Sequence, residues 1–222
     1  MYATFAIATV TLAFVAFYFI THAERWKEFF NADKDNEREV HAQRLAGFLF
    51  YGIFPAIVVA SIGLDWKDAG TSFQMNSTDL LWVLGVGSLT LIFNWFVTQT
   101  PANLAVYPMI RRPAPWSMGL VLKSALSWTA YLLAYEFVFR GFLLFTTARE
   151  LGVATAIVIN ISLYVLAHIH KGLVESLGSI LMGFLLCHIC LEAGNIWPAV
   201  IVHVILGLGN EWLSLKWLKR KS

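Results

Sequence analysis

Residues Gly119–Arg149 read GLVLKSALSWTAYLLAYEFVFRGFLLFTTAR, a run in which only Lys123, Glu136, Arg140 and Arg149 are charged. About 20 apolar residues suffice to cross ~30 Å of hydrocarbon. At 1.5 Å per residue this run would reach about 45 Å, so its first part lies at the interface or the helix is strongly tilted. Glu136 and Arg140 fall at i and i+4. They share one helix face and can pair at a depth where either alone would be costly.

Further apolar runs lie on both sides, at Tyr2–Ile20, Leu45–Leu64, Leu80–Val97, Gly152–His168, Leu173–Leu191 and Trp197–Leu215, each bounded by Gly, Pro or polar residues. The spacing predicts an all-α, polytopic membrane protein with about seven transmembrane helices. Composition agrees: 58% of the 222 residues are hydrophobic and 14% charged, against roughly 45–50% and 25% in soluble chains. That excludes a water-soluble domain, and nothing suggests nucleic-acid binding. Tyr2–Ile20 has no basic residue before it and no small-residue cleavage pattern after it, so it reads as an uncleaved first helix.

Lys and Arg place the loops. Summed over alternate connections and the tail, twelve fall on one side and two on the other, which predicts the N-terminus outside and the C-terminus in the cytoplasm. Trp66, Trp82, Trp95, Trp116, Trp197 and Trp212 stand near span ends, where indoles favour the membrane interface. Four of the six prolines lie between Pro101 and Pro115, so that connection is expected to be stiff and extended, not helical. Glu24–Arg44, with six acidic and five basic residues around Trp26, Phe29 and Phe30, reads as a solvated, partly interfacial helix. The basic tail suits anionic lipid heads.

Beyond Glu136 and Arg140, polar groups recur in the C-terminal spans: His168 four residues after Tyr164, His203, Asn210 and Glu211. With the turn near Leu151 as origin, Glu136 lies roughly 22 Å below it on one side and His168 roughly 25 Å on the other, level in an antiparallel hairpin. His203, nine residues beyond Gly194, is only roughly 13 Å deep if that turn sits at the outer face. It then needs tilt or an in-dipping loop to join them. Glu, His and His converging in a water-accessible pocket suit water activation, with a carboxylate or imidazole as base and an imidazolium or amide as oxyanion donor. Weaker candidates read structurally. His170 and Lys171 mark a cytoplasmic helix end, Glu175 meets a helix N-terminus or Lys171, and Cys187-His188-Ile189-Cys190 lacks the further ligands that a metal site needs.

These residues resemble the CAAX protease and bacteriocin-processing family of intramembrane proteases. Its motifs run Glu-Glu-three-Arg, aromatic-three-His, and His followed after three residues by Asn or a small residue. They correspond to Tyr135–Arg140 with Gly141, Tyr164–His168 and His203–Gly207, so the resemblance covers about Leu132 to Gly207. It implies an intramembrane endopeptidase acting on a membrane-delivered protein or peptide, in which Glu136 and His168 activate water and the third motif, with His203, stabilises the oxyanion. Arg140 would hold Glu136. The family's first Glu is Tyr135 here, and Gly207 offers no amide, with Asn210 one turn further on.

One integral-membrane domain, 1–222, is therefore expected, with N-terminal spans in 1–118, a cytoplasmic loop at 21–44 and a protease-like core in 119–215. It should be multi-pass in the cell membrane, with lipids and a membrane-delivered substrate as partners. The sequence requires no cofactor, and leaves open a divalent metal. Two alternatives stand: a non-catalytic relative serving as a membrane scaffold or partner-binding subunit, and a small transporter using Glu and His as a proton relay. Only Pro55 hints at the broken helices of a transporter.

Overall fold

The computed structural model describes residues 1–30, 35–169 and 172–221, the last three as backbone only. His170, Lys171 and the basic tail's side chains from Lys219 on lie outside the described residues, as do Asp33 and Lys34 of the charged segment. The chain is an all-α integral, multi-pass membrane protein, with no strand among the described residues. Six helices are long and apolar enough to cross a membrane. They are α1 (Tyr2–His22), α3 (Glu37–Ser61), α4 (Ser77–Val97), α6 (Met118–Leu151), α8 (Leu173–Ala193) and α9 (Trp197–Lys221). Shorter helices are α2 (Glu24–Phe30), α5 (Pro101–Val106) and α7 (Val153–Leu166). The seventh expected span is thus a 14-residue helix. It ends beside α8, whose Ser176 donates to the carbonyl of His168 at 3.2 Å.

α6 is the axis of the fold. Of its most apolar window 72% is buried, against 28–39% for the other five long helices. The small-residue stripe Ala3, Ala6, Val10 and Ala13 on α1 is buried, which lets that helix approach closely. Gly47 serves the same purpose on α3, since a Cβ there would stand 2.1 Å from the Tyr131 ring. In the first turns of the 34-residue α6, Lys123 meets Glu37 of α3 at 2.9 Å.

Two stretches wind as π-helix, Leu49–Ile53 in α3 and Phe137–Leu143 in α6. The first directly precedes Pro55, whose ring would meet the Tyr51 carbonyl in an ordinary α-turn; the wider turn relieves that clash. Within the second, the Phe139 carbonyl accepts the Asn160 amide at 2.6 Å, so α7 satisfies backbone inside the wide turn.

The α8–α9 turn settles the depth of His203. The Ile196 N–H donates to the Gly70 carbonyl at 3.0 Å, and a Cβ on Gly141 would lie 2.7 Å from the Ala69 carbonyl oxygen and 3.5 Å from Ile196. The turn is therefore level with Gly141, ten residues before Leu151, roughly 15 Å beneath the turn that follows Leu151. His203, seven residues further, adds about 10 Å and reaches the level of Glu136. Of tilt and an in-dipping loop, the two arrangements left open by the sequence, this turn is the loop.

Three expectations change. Pro101–Val106 is helical: Thr100 Oγ1 accepts the Asn103 N–H at 3.3 Å, and Pro101 opens the first turn, where its missing N–H is no loss. Arg44 is not solvated but buried, because α3 starts at Glu37, eight residues ahead of the expected Leu45. Trp116 is buried, with its indole N–H donating to the Arg112 carbonyl at 2.9 Å, so it is no interface anchor.

Asn36 and Arg111 share one end, the Arg111 N–H donating to Asn36 Oδ1 at 2.9 Å, while Asp68 and Arg149 pair at 3.0 Å at the other. Labelling of cysteines introduced at Asn36 and Asp68, with a tag after Ser222, is expected to place Asn36 and the tag in the cytoplasm and Asp68 outside. Asn36 and the tag on opposite faces would mean that α7 does not complete a crossing.

Candidate active site

Glu136 closes the last α-turn of α6 before the π-helical stretch, and Arg140 sits within that stretch. Both are fully buried, and Arg140 Nη1 donates to Glu136 Oε1 at 3.4 Å. The guanidinium carbon lies 4.0 Å from the centroid of Tyr164, a cation–π contact that holds it where water does not reach. From α9, His203 Nδ1 donates to the same Oε1 at 2.5 Å. Glu136 therefore faces two cationic or proton-bearing partners, and its Oε2 is buried with no hydrogen-bond partner.

His168 follows the last turn of α7. Its Nδ1 lies 2.8 Å from the Tyr164 carbonyl, and because a carbonyl only accepts, Nδ1 carries the proton and Nε2 the lone pair. Tyr135 stands between the two imidazoles, its ring centroid 6.3 Å from that of His168 and 6.1 Å from that of His203. Tyr164 flanks both as well, at 4.5 and 6.5 Å. The Tyr135 hydroxyl is buried without a hydrogen-bond partner.

These groups head a cavity of about 500 Å³. Tyr135, Tyr164, His168 and His203 line it, whereas Glu136 and Arg140 stand behind its wall. Apolar side chains of α4 and α8 line the opposite side, Leu89, Phe93, Leu181 and Leu185 among them. Asn210 also lines it, but its side chain is engaged with Asn103 at 3.1 and 3.2 Å and with Ser214 at 3.2 Å. The structure thus brings Glu136, Arg140, Tyr135, His168 and His203 together and places Asn210 further along α9. Glu136 Oε1 and the Nδ1 atoms of His203 and His168 already face polar partners. Among the described residues, no group of three His, Cys, Asp or Glu is arranged to hold a metal, so the donor set does not fit one. Cys187 packs instead in the core, its thiol donating to Asn160 Oδ1 at 3.2 Å.

Residues 116–208 match the family model described as type II CAAX prenyl endopeptidase Rce1-like. No curated protein and no solved structure matches the chain. The matched segment contains the motif residues from Tyr135 to Gly207, in agreement with the resemblance read from them, while α1 to α5 precede it.

Sequence reasoning passed over Asn160, Trp128 and Arg44. Asn160, Tyr164 and His168 recur every four residues, as do Ser124, Trp128 and Leu132 on α6, and that periodicity was a usable signal. Arg44 had none, because it ends a run of solvated charges. It forms a second buried pair with Glu211 at 3.4 Å, and its Nη1 donates to Ser124 Oγ at 2.9 Å.

Proposed function

We propose that this protein is an intramembrane endopeptidase that hydrolyses a peptide bond of a membrane-associated protein or peptide. The observation that carries the reading is the pair of imidazoles flanking an unpartnered tyrosine hydroxyl at the head of a cavity whose far wall is apolar. His203, whose imidazolium the Glu136 carboxylate stabilises, takes a proton from water at Nε2. His168, fixed with its lone pair on Nε2, accepts the water's other hydrogen and aims the oxygen at the scissile carbonyl. The Tyr135 hydroxyl donates to the oxyanion that forms. The proton on His203 then passes to the leaving amine as the C–N bond breaks. Glu136 acts through His203 and Arg140 through Glu136; both are positioning residues. Asn210 shapes the wall below.

The apolar side between α4 and α8 suits a lipid-modified or membrane-embedded substrate, which would arrive laterally. The test is incubation of the protein in liposomes with a fluorogenic peptide bearing an S-farnesyl cysteine followed by three residues, with mass-spectrometric mapping of the product. One cleavage site, lost in the histidine variants, is expected; an intact peptide and unchanged membrane proteins after co-expression would sink the reading. A specific observation favours one rival, a non-catalytic relative. The only carboxylate of the first motif is sealed behind Tyr135 and His203, out of the cavity.

Tyr135 separates the two. Tyr135→Phe keeps the ring contacts and removes the hydroxyl, and is expected to lower kcat about a hundredfold. Tyr135→Glu is expected to lose activity as well, since it removes the donor and adds a second buried carboxylate. A wild type inert on every substrate with cleavage gained by Tyr135→Glu alone would favour the non-catalytic description.

A further inference from the structure

A second donor faces the cavity one turn from the imidazoles. Trp128 is buried, lines the cavity, and its indole N–H has no hydrogen-bond partner. Its Nε1 stands 3.0 Å from where a Cβ on Gly207 would be, and Leu132 Cδ1 is equally near. The missing side chain at Gly207 therefore leaves a notch narrower than a methyl group in the wall, with an N–H at its edge. Behind the indole, the Arg44 guanidinium carbon lies 4.7 Å from the ring centroid, so the cation draws on the ring and strengthens the N–H as a donor. That cation is itself neutralised by Glu211. The notch offers one uncharged donor, which matches an amide carbonyl and not a carboxylate.

Register follows from two repeats. Gly207 is four residues from His203 on α9, about 6 Å along the helix axis. An extended peptide advances about 3.3 Å per residue and alternates its faces, so carbonyls two residues apart point the same way and stand about 6.6 Å apart. A peptide lying along α9 with its scissile carbonyl at His203 thus presents its next same-side carbonyl at the notch. We infer that the Gly207 notch is a substrate subsite in which Trp128 donates its indole N–H to a backbone carbonyl two residues from the scissile bond. The register rests on the peptidase reading, whereas the donor and the notch do not.

The probe is the S-farnesyl cysteine peptide with a thioamide replacing each backbone carbonyl in turn, and the partner variant is Trp128→Phe, which keeps an aromatic ring under Arg44. Trp128→Phe is expected to lower kcat/KM about tenfold, mainly through KM. The thioamide two residues from the scissile bond should impose a similar loss on the wild type and none further on the variant. Gly207→Ala, which fills the notch, should behave like Trp128→Phe. With indole-15N tryptophan, the resonance absent from Trp128→Phe should move when a non-cleavable reduced-amide analogue binds. Normal cleavage by Trp128→Phe, or additive losses with an unmoved indole signal, would overturn the subsite and leave the peptidase reading standing. A shifted signal and coupled binding losses without any cleavage would support the subsite and overturn the peptidase reading.

Discussion

His168→Ala and His203→Ala are each expected to reduce peptide cleavage by about a thousandfold or more while leaving expression and membrane insertion close to wild type. General acid–base groups contribute about 10² to 10⁴ in rate, and the two rings divide proton transfer and water positioning, so neither replaces the other. Both line the cavity, where His203 Nδ1 meets Glu136 and His168 Nδ1 meets the Tyr164 carbonyl. Truncation therefore opens space next to an existing cavity without stranding a charge. His203→Ala frees Glu136 of its shortest contact, but Arg140 remains paired to the same oxygen. Initial rates in liposomes, set against the thermal unfolding of each variant in detergent, decide the matter. Near-normal cleavage in either variant would remove that histidine from the mechanism.

Arg140→Ala is expected to be the most damaging single change to stability, costing about 3–5 kcal/mol as a broken buried ion pair. It leaves Glu136 ionised at membrane depth with one partner. Glu136→Gln is milder, because the amide oxygen still accepts from Arg140 and the guanidinium keeps its place over the Tyr164 ring at 4.0 Å. Glu136→Gln should nonetheless lose cleavage, since His203 no longer has a carboxylate to stabilise its imidazolium. The double variant should recover part of the stability that Arg140→Ala loses. Equal melting temperatures for Arg140→Ala and Glu136→Gln would refute the account.

The fold was legible where apolar length speaks. Charge-free runs mark the six long helices, and the level of Glu136 with His168 follows from counting back and forward from Gly152. What could not be read depends on contacts between distant segments. The α8–α9 turn lies deep because Ile196 binds Gly70 and because Gly141 leaves room for the Ala69 carbonyl. No pattern near Gly194 announces that. Arg44 is buried because Glu211 and Ser124 receive it, and 167 residues separate Arg44 from Glu211. Of the site, residue types and order were visible. That Glu136 stands behind the cavity wall while Tyr135 faces into it was not, because the winding of α6 changes at that very point.

The wide turn at Phe137–Leu143 makes the length of α6 a constraint separate from its composition. Losing one residue there would let the chain relax into ordinary α-winding with better-aligned hydrogen bonds, a local improvement. Because the wide turn holds one residue more than the α-winding that would replace it, the segments on either side would keep nearly the same relative rotation, while a loss between Glu136 and Arg140 would shorten their spacing from four residues to three. A one-codon deletion there would thus act on the spacing of the buried ion pair and leave the packing of the flanking segments in place.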